Sequence, residues 1–153
     1  MIAALSIPCM LRQPSRSRPA CTGGHADPAT VLSVARKLVI KVTVGKEDPE
    51  RCNQAFTVAS TAIASGVPVS LWLTGEAAWF GLPGRAGDFS LPYAAPLADL
   101  LASVLALGTV TICGQCAARR DITPDDVIAG IRIAGSATFV SEVVADDVQA
   151  LVY

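Results

Sequence analysis

Histidine is almost missing from this chain. His25 is the only one in 153 residues, and it lies in a proline-punctuated opening stretch outside any periodic segment. A Ser-His-Asp triad in the folded part is therefore excluded in practice. Phosphate-binding glycine motifs are also lacking. Gly45-Lys46 has neither the upstream glycine nor the downstream Ser/Thr of a phosphate loop, and no G-x-G-x-x-G follows the first strand. Charged residues make up only 16% of the chain and form no basic stripe, which argues against a nucleic-acid partner. Five cysteines are too few, and too unevenly spaced, for a small disulfide scaffold.

What is present is apolar. Residues of that class make up 52%, so a substantial core forms without covalent staples, and a reducing, cytoplasmic setting fits best. Four arginines and one aspartate give residues 1–36 a charge of +3, leaving −4 on residues 37–153 within a total of −1. The opening stretch holds Pro8, Pro14, Pro19 and Pro28, a Ser/Arg cluster and no sustained period. Residues 1–36 are expected to be a disordered or dispensable extension, and residues 37–153 the folded domain. Leu100 to Ala118 carries no charge over 19 residues. Asp99 abuts its start and Gly108 splits it, so a buried helix followed by a buried strand is expected rather than a membrane span.

From Lys37 onward, β-branched runs alternate with helical spacing. Leu38–Val44 reads as a strand, ended by Gly45, with Asp48-Pro49 as cap and first residue of a helix. That helix carries Cys52, Phe56, Ala59 and Ile63 on one face and closes at Gly66. Val67–Leu73 is a second strand and Ala77–Phe80 a short helix. Gly81–Pro96 is a loop, and a helix beginning at Leu97 ends at Gly108. Thr109–Cys113 is a third strand, and Thr123-Pro-Asp-Asp126 has the cap, proline and early acids of another helix start. A strand at Ile131–Ala134, a helix around Ala137–Val144 and a strand at Gln149–Tyr153 follow. The alternation predicts an α/β, three-layer, doubly wound and mainly parallel sheet of about five strands, of flavodoxin/Rossmann-like architecture.

Cys113 and Cys116 are the candidates for chemistry. Cys113 ends the third strand, and both thiols open the short helix after it. A helix dipole and nearby cations favour the thiolate, which is the nucleophile. Arg119 and Arg120 are the expected cations; Cys52, in the first turn of its helix, fits helix core better than catalysis and is kept as a minor second thiol. No cofactor or metal is implied: three thiolates are the most this chain offers zinc. Trp79, Phe80, Phe89 and Tyr93 are expected to pack a subunit interface or a lid, and Leu82, Phe89, Leu91 and Tyr93, in a segment with few charges, suggest exposed interface surface.

The region Lys37 to Tyr153 resembles the DsrE/DsrF-like family, the fold of TusD-type subunits in bacterial sulfur relays. The resemblance rests on Gly45-x-x-Asp48-Pro49, Ala64-Ser-Gly66-Val67-Pro-Val and Leu73-Thr-Gly75-Glu76. It rests further on Ile112-Cys113 with Arg119-Arg120-x-Ile122, and on Ala134-Gly135, Phe139-Val-x-Glu142 and Val152-Tyr153. It implies that Cys113 carries sulfur as a persulfide, that donors and acceptors are proteins or small persulfides, and that the chain forms a homo-oligomer, with a trimer favoured. The family often has glycine where Asp121 stands, and TusD-type members have no thiol at the Cys116 position. A carrier or sulfurtransferase is thus expected. A thiol–disulfide oxidoreductase or redox sensor using Cys113/Cys116 is the second expectation, and a non-catalytic oligomeric scaffold the third.

Overall fold

The computed structural model describes residues 37–153. The expected extension, residues 1–36, lies outside the described residues. Five strands run in chain order as β1 (Lys37–Val42), β2 (Val69–Leu73), β3 (Thr109–Cys113), β4 (Ile131–Ala134) and β5 (Val148–Val152). All pair in parallel, in the spatial order β4-β3-β2-β1-β5. The helices are α1 (Pro49–Ala64), α2 (Leu97–Leu107), α3 (Gly114–Ala118) and α4 (Ser136–Val143), with a 3-10 helix at Gly75–Gly81.

Local chemistry sets these boundaries. The Asp48 carboxylate accepts from the Arg51 N–H at 3.4 Å, and Pro49 occupies the first helical position of α1. At the other end Gly66 takes φ +77°, and its N–H and that of Val67 donate to the carbonyls of Ile63 and Ala62. This double closure requires a left-handed residue after the helix, which glycine adopts without cost. Cys52, Phe56, Ala59 and Ile63 line the buried face of α1, as their spacing predicts.

Alternation along the strands divides the sheet into two unlike faces. Ile40, Val42, Leu71, Leu73, Val110 and Ile112 point into the main core, against α1, α2 and the 3-10 helix. The register places Lys41, Trp72, Thr111 and Arg132 side by side in one row on the other face. α4 packs on that face, and none of its residues is fully buried. Phe139 meets Trp72 edge-on at 5.2 Å between ring centroids. Glu142 accepts from the Trp72 indole at 3.4 Å, pairs with Lys37 at 3.5 Å and binds Arg132. Arg132 also donates to the Thr111 hydroxyl at 2.8 Å. One carboxylate thereby ties α4 to β1, β2 and β4.

Three expectations are corrected. Thr123–Asp126 starts no helix, because Asp126 turns back to accept from both the N–H and the hydroxyl of Thr123, at 2.8 and 2.6 Å. The cap chemistry is real but closes a turn. Phe80 and Phe89 are core residues rather than lid or interface: Phe56, Phe80 and Phe89 form a chain of edge-on contacts at 6.0 and 5.7 Å. Leu82 and Leu91 are half-buried against the same core, so of Leu82, Phe89, Leu91 and Tyr93 only Tyr93 stands fully exposed.

Candidate functional site

The carboxyl ends of β1, β2 and β3 form a crest, the usual ligand edge of a parallel sheet. After β2, Thr74 is buried, and both its N–H and its hydroxyl donate to the Val42 carbonyl, at 2.8 and 2.9 Å. Gly75 follows with φ +53°, so close to β1 that a Cβ there would fall 2.1 Å from the Thr43 carbonyl oxygen. Only glycine fits this position. The approach aims the Gly75 N–H at the Cys116 sulfur, 3.2 Å away.

Cys113 is the last residue of β3 and caps α3. Its side chain leaves the sheet on the same face as Thr111, beside the row that contains Lys41. The thiol is half-buried, whereas Cys116 lies buried behind it. Burial works against a thiolate at Cys113. The Cys116 N–H, the Cys116 thiol, the Gln115 N–H and the Lys41 charge outweigh it, and the pKa falls below the ordinary thiol value. The two N–H groups face the sulfur without closing a full hydrogen bond, so they act as dipoles at a distance.

Arg120 pairs with Glu76 at 2.5 Å, donates to the Cys116 carbonyl at 3.2 Å and stacks over Trp79 at 5.8 Å. It braces α3 against the 3-10 helix. Arg119 is exposed on the surface of the same turn. The cation that acts on Cys113 is Lys41, which the sequence reading missed. Lys41 is two strands away, and its ammonium stands 5.1 Å over the Phe139 ring. The one sequence signal for it is a charge at an alternating position inside an apolar strand.

Cys52 is wholly enclosed, and burial, then the nearby Glu47 and Asp48 charges, push its thiol up to about 12. It supplies no thiolate to the crest near neutral pH. Among the described residues, no three His, Cys, Asp or Glu side chains gather as a group that could hold a metal ion. No helix there is long and apolar enough to cross a membrane.

The profile of the DsrE/DsrF-like family matches residues 36–147. This chain belongs to that family. Its fold is shared with the crystal structure of the ychN protein from E. coli, at 20% identity and a TM-score of 0.65, covering 77% of this chain and 99% of that one. A protein of unknown function from Methanobacterium thermoautotrophicum, MTH1491, aligns over the same shares at 10% identity and a TM-score of 0.54. No curated protein matches the chain. Asp121 takes φ +53° in the turn after α3, a left-handed conformation that suits glycine.

Proposed function

We propose that this protein is a sulfur carrier in a sulfur relay, with Cys113 as the residue that holds the sulfur. The observation that carries this is a half-buried thiol of lowered pKa at the carboxyl end of a central strand. The Cys113 thiolate attacks the sulfane sulfur of a persulfide donor R–S–SH, forming Cys113–S–SH and releasing R–S⁻. Attack by an acceptor thiolate on the outer sulfur then restores Cys113. Donor and acceptor are partner proteins or small persulfides, and Lys41 favours the thiolate that begins each cycle.

Cys116 supports a second reading, thiol–disulfide exchange, because it lies three residues from Cys113 in the helix that Cys113 caps. Its thiolate can attack the inner sulfur of the persulfide, leaving a Cys113–Cys116 disulfide and releasing HS⁻. Mass spectrometry after incubation with polysulfide separates the readings. One added sulfur on Cys113 supports the carrier, and loss of two hydrogens supports the redox enzyme. An unchanged mass rejects both in favour of a scaffold.

We also read the chain as a homo-oligomer of the cytoplasm, a trimer by family resemblance. Apolar residues left exposed support self-association, among them Val140 on α4, Val144 just after it and Val152 on β5, at 52%, 72% and 65%.

A further inference from the structure

Phe139 on α4 meets both Trp72 and Lys41. Its ring packs edge-on against the indole at 5.2 Å between centroids, and the Lys41 ammonium stands over its face at 5.1 Å. Glu142 is three residues further on, and so on the same side of α4. Its contacts with Lys37, Trp72 and Arg132 fix the helix in this register. Those contacts also occupy the carboxylate, and Lys41 forms no ion pair among the described residues. An aromatic face holds a cation without cancelling its charge, whereas a carboxylate partner would leave little of that charge for a third group.

The difference bears on Cys113. β2 lies between β1 and β3, so Lys41 and the Cys113 strand are two strand spacings apart, roughly 10 Å. A lysine has a flexible four-carbon stem, and one left free turns its ammonium out to water. At this range the place of the ammonium decides how much of its field reaches the sulfur. Lys41 is half-buried on the sheet face that Cys113 shares, between uncharged Trp72 and Val152 in its row. The other ionisable groups about the pair are engaged. Lys37 and Arg132 bind Glu142, Arg120 binds Glu76, and the Cys116 sulfur accepts from the Gly75 N–H at 3.2 Å.

We propose that Phe139 is a positioning residue for Cys113: its ring holds the Lys41 ammonium on the thiol's side of the sheet, its charge undiminished, and so keeps the thiol reactive near neutral pH. The inference rests on Cys113 as the reactive thiol, which the carrier and exchange readings share.

Iodoacetamide labelling of Cys113 in the full chain, read by peptide mass spectrometry across pH, tests this. Phe139→Leu should slow labelling near pH 7 about twofold or more and move the midpoint upward. Phe139→Tyr keeps the aromatic face and should behave as wild type. In a Lys41→Met background, Phe139→Leu should add nothing, because the ring acts through the lysine. Circular dichroism and tryptophan fluorescence check that α4 stays docked. Where Phe139→Leu loosens it, Phe139→Met fills the space without a ring and carries the same expectation. A midpoint unmoved in the leucine and methionine substitutions overturns the role. So does Phe139→Tyr labelling as slowly as Phe139→Leu, or an equal further shift in the Lys41→Met background. Sulfur loading is measured separately. Normal loading with an unmoved midpoint removes Phe139 and leaves the carrier reading standing, and a moved midpoint without loading does the reverse.

Discussion

Cys113 and Cys52 are the same side chain in two surroundings that push the thiol in opposite directions. At Cys113, burial is outweighed by N–H dipoles, the Cys116 thiol and the Lys41 charge; at Cys52, burial dominates and the pKa reaches about 12. Iodoacetamide should therefore label Cys113 first, with half-maximal rate at a pH below the roughly 8.5 of a free thiol. Lys41→Met should move that midpoint upward, and Lys41→Arg should leave it near its original place. A midpoint unmoved by Lys41→Met would remove Lys41 from the site. Cys52 gives the opposite signature. Its folded pKa is raised, so its contribution to stability is intact below the unfolded value and lost as pH rises towards 12. Denaturant midpoints should drop across that alkaline range, and Cys52→Ala should flatten the drop. Gly75→Ala, which forces a Cβ onto the Thr43 carbonyl, should destabilise by about 1–3 kcal/mol or more in urea melts.

Among the elements, α4 and the end of α3 test how local chemistry holds a lightly covered sheet face. Burial disfavours the Glu142 charge, but the Ser70 hydroxyl, the Trp72 indole, Lys37 and Arg132 overcome it and lower its pKa. The Ser70 hydroxyl leans towards the carboxylate without completing a hydrogen bond. A depressed carboxylate stabilises the fold above its unfolded pKa of about 4.3 and loses that contribution as pH falls through the folded value. Docking of α4, read from Trp72 fluorescence, should weaken on acidification below about pH 4.3. Glu142→Gln should loosen α4 at neutral pH and remove the acid dependence. At the end of α3, Asp121→Gly should be neutral or slightly stabilising, whereas Asp121→Val should cost about 1–2 kcal/mol, because a β-branched side chain resists φ +53°. The turn at Thr123 shows why short cap motifs mislead: a hydroxyl, a proline and two acids fit either a helix start or a closed turn, and no apolar period follows to decide between them.

For the molecule as a whole, the exposed large apolar side chains among the described residues are Val140 on α4, Val144 just after it, Val152 on β5, Leu107 at the end of α2 and Tyr93 in the loop after the 3-10 helix. Light scattering at micromolar concentration should report an oligomer, and Val140→Asp/Val144→Asp should shift it towards a species near 15.8 kDa. A wild-type monomer of that mass would end the oligomer reading. The sequence by itself determined the parallel α/β class, the strand sequence and the position of Cys113, because periodicity, caps and glycines act within a few residues of one another. It also carried the family, through short phrases spread along residues 37–153. Only the tertiary structure decided which groups share the thiol's surroundings. Strand order placed Lys41 on the Cys113 face and gave Arg120 to Glu76. Packing buried Phe80 and Phe89. Gly75 met Cys116 because two crest loops, far apart in the chain, fold onto neighbouring strands. Such contacts depend on register and sheet order, which no local spacing encodes.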